Sequence, residues 1–307
     1  MTEPQQEKFV LSVVLGTCNR LSLLKQCIES IIAETSVPTC IFVTDAGSTD
    51  GTIAYLRGIA SDRISTIFLG EKVGQARAYN EVFGQVTTPY VCWLSDDNVI
   101  VNGGLDTGVR VLEENPSVGM VGLKVKDVEG PFASEAYVGG VSEIGILNVN
   151  QGLLRTHLLK SLGGFSEEFG DYGIDPDLTA RVLFSGHSIV YTKKIAIHHY
   201  RDWGQAEALA AQMEKQKRYK ALYMDKYGDM APRGKLWRLR RLSGFGIRKI
   251  GMKLAKRIDS RYIAHLSRDW FNILISRYIG IFDHLRHLGK DFHLYQSADR
   301  AREQEGR

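Results

Sequence analysis

Three stretches of this chain place carboxylates where they could act together, and a fourth adds imidazole. The run Tyr90-Val91-Cys92-Trp93-Leu94-Ser95 ends in Asp96-Asp97-Asn98. Adjacent carboxylates repel unless a cation or a proton intervenes. Oxygen ligands of this kind favour Mg2+ or Mn2+, ions that commonly sit between carboxylates and substrate phosphates. Asp45 closes a second apolar run, Ile41-Phe42-Val43. Asp171, Asp175 and Asp177 cluster in front of Leu178, and His198-His199 follows Ile195-Ala196-Ile197. Taken singly, each has a structural explanation. Asp and Asn cap helices, Asp45 and Asp50 can form turns, Asp175 precedes Pro176 at a helix start, and His198 can hydrogen-bond at a strand end. Taken together, a carboxylate-lined strand edge, a second acidic cluster and a histidine make a metal and acid–base site. There is no Walker A motif and no GxGxxG after a strand, so kinase and dehydrogenase readings lose their main support.

The elements that must position these residues follow from apolar periodicity. Strands are expected at 9–15, 41–43, 64–69 and 90–95. Helices are expected at 21–32, from Ile53, and at 74–83, where Arg77 and Asn80 share a face. This β-α-β alternation predicts an α/β fold built on a doubly wound, mostly parallel sheet flanked by helices. Its ligands would bind at the carboxyl edge of the strands. Further on, the pattern predicts a helix at 104–114 and a strand at 118–125. A strand at 144–149 and a short helix at 153–162 are also expected. Then come a helix ending at Phe184, strands at 189–191 and 195–197, and a long helix at 203–227. Residues 127–143 read as loops or a hairpin.

Composition bounds the class. The chain has 307 residues, 44% hydrophobic and 24% charged, with a formal net charge of +4. That is ordinary for a globular protein, and the small net charge points away from nucleic acid as a partner. Cys18, Cys27, Cys40 and Cys92 lack CxxC spacing, so reduced thiols in a cytoplasmic setting are expected. Met1 to Lys8 lacks the basic-then-apolar pattern of a signal peptide. The expected organisation is a catalytic domain at 1–230, with a nucleotide-binding half at about 9–125 and an acceptor half at about 126–230. A basic, amphipathic, helical region would follow at 231–307.

From Phe9 to about Tyr200 the chain resembles a family 2 glycosyltransferase with the GT-A fold. The resemblance is carried, in order, by Thr17-Cys18-Asn19-Arg20, Thr44-Asp45-Ala46-Gly47-Ser48-Thr49-Asp50-Gly51, Gly74 to Asn80, Leu94-Ser95-Asp96-Asp97, Gly163-Gly164-Phe165-Ser166-Glu167, Asp175-Pro176-Asp177-Leu178 and His198. It implies transfer, with inversion, of a sugar from a nucleoside-diphosphate donor to a hydroxyl of a glycan or lipid-linked glycan. It also implies roles. Asp45 would accept a hydrogen bond from the donor nucleobase, with Thr17 and Arg20 near the nucleotide and Arg77 and Asn80 on the donor-side helix. Ser95-Asp96-Asp97 would stand for the DxD metal motif. Asp97 would coordinate a divalent cation, Asp96 would help to hold the ribose or sugar, and His198 would supplement the metal or diphosphate. Asp175 would be the base, in a motif that usually reads Glu-Asp-x-Asp, with Ile174 in place of the Glu. Asn150, Gln151, Gly163, Gly164 and Asp177 would shape the acceptor side.

Rival readings are a nucleotidyltransferase making a sugar nucleotide, a metal-dependent hydrolase, and a non-catalytic membrane-associated scaffold. Gly16-Thr17-Cys18-Asn19-Arg20 is a poor triphosphate loop, the hydrolase lacks a second set of ligands, and the scaffold is disfavoured because Asp45, Asp97 and Asp175 are all present. No residue pattern specifies an oligomeric state. Between Ala231 and Ile258 there is no Asp or Glu, while Arg238, Arg241, Lys249, Lys253 and Lys256 are among the basic residues. Ile247, Ile250, Leu254 and Ile258 share a helical stripe, as do Phe271, Leu274, Tyr278 and Ile281. Such helices either lie in membrane interfaces or pack on the catalytic domain or a partner chain; peripheral binding to the anionic cytoplasmic face of the inner membrane is the expectation.

Overall fold

Leu11–Thr17 forms β1, and its alternating side chains are buried on both faces. In this computed structural model, which describes residues 9–130, 133, 136–142, 144–201, 206–230 and 292–296, the chain then alternates as expected. The elements are α1 (Leu21–Glu34), β2 (Thr39–Asp45), α2 (Thr52–Ile59), β3 (Ile64–Phe68), α3 (Gln75–Phe83) and β4 (Tyr90–Ser95). Strand β1 pairs in parallel with β2 on one side and β4 on the other. The register sets Thr17 opposite Asp45 and Gly16 opposite Ser95, so the three strands stop at one level. Sequence order reverses across β1, which opens a crevice at that edge.

Among the described residues, the main sheet has eight strands. It is extended by β6 (Val118–Gly122), β9 (Gly152–Arg155), β10 (Ser188–Thr192) and β12 (Phe292–Gln296). Strand β9 runs antiparallel between β4 and β6, and β12 runs antiparallel along β10. Side-chain alternation splits the core into two layers. Leu11, Val13, Leu15, Cys92 and Leu94 face α1, α2 and α4 (Gly104–Glu114). Val14, Val91 and Trp93 face α3, α5 (Thr156–Ser161), α6 (Ile174–Phe184) and α7 (Ala206–Tyr227).

Two strands of the main sheet hand over to a smaller one. After Ser95 the chain turns through Asp96-Asp97 into β5 (Asn98–Ile100), and after Gly122 it bends into β7 (Val125–Asp127). With β8 (Ala136–Tyr137) and β11 (Ile197–His199) these make a second sheet, in the order β5-β11-β7-β8. The expected single strand at 118–125 is therefore two strands. The expected strand at 144–149 is a loop with one bridge, between Val141 and Leu147, although Ile144, Leu147 and Val149 are buried. The expected helix at 153–162 starts as β9. Leu153 and Leu154 point into opposite core layers, which a strand permits and a helix start does not.

Of the stretch 231–307, read from sequence as basic and helical, the described part is Phe292–Gln296, and it is a strand. The amphipathic stripes at 247–258 and 271–281 lie outside the described residues. Among the described residues, no helix is long and apolar enough to cross a membrane. Cutting the chain after Met230 would strip β12 from β10 and leave a row of unpaired backbone groups, a template for association. The truncated protein is expected to melt several degrees below the full chain and to elute in part as oligomers in size-exclusion chromatography. A monomer of unchanged Tm would show that β12 contributes nothing to the sheet.

Candidate active site

The acidic pair sits at the corner where β4 leaves the main sheet. Asp96 and Asp97 are both buried. Asp96 accepts from the Thr17 hydroxyl at 2.8 Å, and Nη1 of Arg20 donates to Asp96 at 3.1 Å and to Asp97 at 3.0 Å. Thr17 ends β1 and Arg20 precedes α1, so the β1–α1 turn supplies both partners. Burial raises the Asp96 carboxyl above its usual range despite Arg20 and Thr17. Burial acts on Asp97 in the same sense, but His199 and Arg20 outweigh it and hold that carboxyl low.

The histidine beside the pair is His199. Strand β11 alternates its side chains, so His198 points to the opposite face. Register places His199 opposite Asn98 on β5 and Asp127 on β7. Its Nε2 lies 3.4 Å from Asp97 Oδ1, and its Nδ1 lies 3.1 Å from Asp127 Oδ1. Tyr137 donates to Asp127 at 2.8 Å, and Arg201 donates to the Tyr137 hydroxyl at 3.1 Å. Burial would make His199 less basic, yet Asp127 and Asp97 prevail and raise it. A carboxylate on one ring nitrogen orients the other, an arrangement common behind metal-binding histidines. Sequence reasoning named the His198-His199 pair but assigned the role to His198, and it missed Asp127 and Tyr137, because the residues meet only through the ladders of the small sheet.

Asp97 Oδ1 has two long contacts, to His199 and, at 3.4 Å, to Asn98 Nδ2, and so keeps lone pairs for a further partner. Among the described residues, no group of three His, Cys, Asp or Glu side chains is assembled to hold a metal. One carboxylate and one imidazole fit a divalent cation that takes its other ligands from phosphate and water.

Asp45 is fully buried. Its Oδ1 accepts from the backbone of Gly47 and Ser48 at 3.1 and 3.0 Å, while Oδ2 has no hydrogen-bond partner among the described residues. A buried oxygen without a donor is costly, and this one belongs to the strand-edge level of Thr17 and Ser95.

Asp175 opens α6 on the α3 face of the sheet. The Trp93 indole donates to its Oδ1 at 3.1 Å and also reaches the Asn150 carbonyl at 3.1 Å. With little else to stabilise its charge, burial pushes the carboxyl up to about 8. Burial, then the charge of Asp96 and that of Asp175, raise the Tyr79 phenol well above its ordinary value, so both carboxylates act on one ring. Tyr79, Phe165 and Trp93 pack edge to face beneath them.

Other candidates are committed elsewhere. Asn80 donates to the Phe165 carbonyl at 2.9 Å and accepts from its N–H at 2.8 Å. A Cβ at Gly164, where φ is +72°, would come within 2.4 Å of the Asn80 oxygen, so glycine is required there. Arg77 is exposed and pairs with Glu81 at 3.9 Å. Asp177 is buried under Arg181 at 2.7 Å, Ser166 at 2.6 Å, and Tyr227 and Lys226 at 2.8 Å each. Burial raises its carboxyl, but these partners, Arg181 first, bring it below the usual value. Arg181 also donates to the carbonyls of Leu162 and Gly164, so Asp177 fixes the turn that carries Gly163 and Gly164. Gln151 uses its carbonyl to accept from Leu123.

Residues 12–139 match the family model described as glycosyl transferase family 2. Over that stretch the chain is similar to family 2 glycosyltransferases. An uncharacterized glycosyltransferase of Nostoc sp. is 32% identical over 114 residues, 36% of this chain and 35% of the relative. The chain thus aligns with about a third of that protein. Two solved structures are similar in fold. The crystal structure of residues 1–349 of S. aureus TarS has a TM-score of 0.52 at 16% identity, over 90% of this chain and 91% of that one. The Pyrobaculum calidifontis mannosyltransferase PcManGT, in complex with GDP-Man and Mn2+, has a TM-score of 0.52 at 19% identity, over 91% and 87%. The fold is similar to that of GT-A glycosyltransferases. Within the family 2 match lie Thr17, Arg20, Asp45, the acidic pair and Asp127, while Asp175 and His199 come from beyond it.

The raised value of Asp175 sets the sign of a stability effect. The fold favours the neutral acid, so the stability this group contributes is full at low pH and lost as pH rises toward 8. Asn is neutral throughout. The difference in Tm between Asp175→Asn and the unmodified protein should therefore grow in favour of the variant from pH 5 to pH 9. A difference that stays flat with pH would mean the carboxyl is not held in its neutral form.

Proposed function

We propose that this protein transfers a sugar from a nucleoside-diphosphate donor to a hydroxyl group of a glycan or lipid-linked glycan, with inversion at the anomeric carbon. The observation that carries the reading is the pairing of two unlike carboxylate sites across Tyr79. One is an ionised, cation-ready Asp97 at the strand edge; the other is a weakly solvated Asp175 poised to take a proton.

The residues divide the work. The unpartnered Oδ2 of Asp45 suits an N–H of the donor nucleobase. Thr17 and Asp96 line the path from that base toward Asp97. Asp97 and His199 would hold a divalent cation, Mn2+ or Mg2+, as the Mn2+ bound by PcManGT suggests. When bound, such an ion stabilises the negative charge of the departing diphosphate. Asp175 accepts the proton of the acceptor hydroxyl as its oxygen bonds to the anomeric carbon and the donor's glycosidic C–O bond breaks. A single base and direct displacement give inversion. Asn80, Asp177 and Arg181 hold the Gly163-Gly164-Phe165 turn, whose Phe165 packs against Trp93, the hydrogen-bond donor to this proton acceptor.

Incubation with UDP-, GDP- and dTDP-sugars and Mn2+ is expected to release one nucleoside diphosphate. Asp175→Asn should slow transfer by ~10²–10⁴-fold, the usual contribution of a positioned base, while nucleotide binding persists. Asp97→Ala should reduce transfer at least as much. Because the carboxylate is the active form, kcat/KM should fall as pH drops through about 8. Normal turnover by Asp175→Asn would remove it as the base.

The charge pattern at 231–258 supports a peripheral position on an anionic membrane surface, where a lipid-linked acceptor would be met. The full-length protein should float with anionic liposomes at low salt and be released at high salt. Failure to float at low salt would assign the apolar stripes to a protein interface.

A further inference from the structure

Arg20 occupies a position that the proposed activity does not explain. One nitrogen, Nη1, sits 3.1 Å from Asp96 and 3.0 Å from Asp97. Among the described residues, that single guanidinium is the direct cationic partner both acidic side chains share. The two oxygens it takes are Asp96 Oδ1 and Asp97 Oδ2, while Asp96 Oδ2 is held by Thr17. Asp97 Oδ1 is left with only long contacts. A divalent cation bound to Asp97 would stand within a few ångströms of a group that is always charged, and like charges at that range repel. The cation and the guanidinium therefore compete for the same carboxylate.

Arg20 can leave. Its side chain is 41% exposed, whereas those of Asp96 and Asp97 are 5% and 10% exposed. It extends from the residue just before α1, on the same crevice edge as Asp45 and Thr17. A guanidinium displaced from a carboxylate needs another anion, and a diphosphate offers two or more oxygens in the fork geometry that arginine favours.

We propose that Arg20 is a placeholder that keeps the acidic pair closed to divalent cations until a nucleoside diphosphate draws the guanidinium away. The inference rests on the functional reading above, and concerns the order in which the site fills. Metal and nucleotide then bind with positive coupling, each tightening the other by the same factor. Without nucleotide, the buried carboxylates stay neutralised and bind free metal poorly. The arrangement links metal capture to the presence of a donor.

The test is Mn2+ alone, titrated into the full-length protein and followed by electron paramagnetic resonance of the free ion, with and without UDP or GDP. The unmodified protein should bind Mn2+ weakly by itself and at least tenfold more tightly with the matching nucleotide. Arg20→Met, which keeps the length of the side chain without its charge, should bind Mn2+ alone at least tenfold more tightly than the unmodified protein. It should also bind the nucleotide more weakly. Arg20→Gln provides a second neutral variant, and thermal melts check that both are folded. If the folded variants bind Mn2+ alone no better than the unmodified protein, while all three bind it with nucleotide, the placeholder role is overturned and the metal-dependent reading stands. If none binds Mn2+ even with nucleotide, both are overturned.

Discussion

Two carboxylates held side by side away from water set the terms for everything near them. Neither Asp96 nor Asp97 is tolerable there alone, and the surrounding structure is arranged to meet their charge. The β1–α1 turn brings a hydroxyl and a guanidinium, and the small sheet brings an imidazole backed by Asp127 and Tyr137. The corner itself exists because β4 stops at Ser95 and the chain re-pairs three residues later in another sheet. A continuous strand would have sent alternate acidic side chains to opposite faces. The break turns both toward one crevice.

A second charged group does comparable work on the far side of that crevice, for packing. Asp177 and Arg181 are one helical turn apart, both mostly buried, and their polar atoms are used on one another, on Ser166, Lys226 and Tyr227, and on the carbonyls of Leu162 and Gly164. The contrast with Asp175, two residues earlier, is a contrast of partners. Four donors keep Asp177 ionised, and one indole leaves Asp175 close to neutral. Neighbours on the same helix thereby acquire opposite acid–base character from their surroundings.

The parallel βα units were legible in the sequence because their apolar runs are long and punctuated by glycine and aspartate. The acidic pair, Asp45 and Asp175 stood out because each ends or begins such a run. What did not show was anything set by pairing between distant short strands. Leu153-Leu154 has the same composition in a strand or a helix, and only β4 and β6 on either side decide between them. The choice of His199 over His198 depends on a one-residue register in β11, which two adjacent identical residues cannot announce. Asn80 was placed on the correct helix, but its partner lies 85 residues away and is backbone, which leaves no pattern in side-chain types.

The edge strand β12 has a consequence in time. Its partner β10 ends at Thr192, and the residues that pair with it begin at Phe292. At typical synthesis rates of ~5–20 residues per second, the interval between the two leaving the ribosome is on the order of 5–20 s. Once His199 has followed, the described site residues are all present while the edge of β10 still lacks β12. Whatever shields that edge during translation, a chaperone or a transient pairing within the chain, must also yield to β12 at the end.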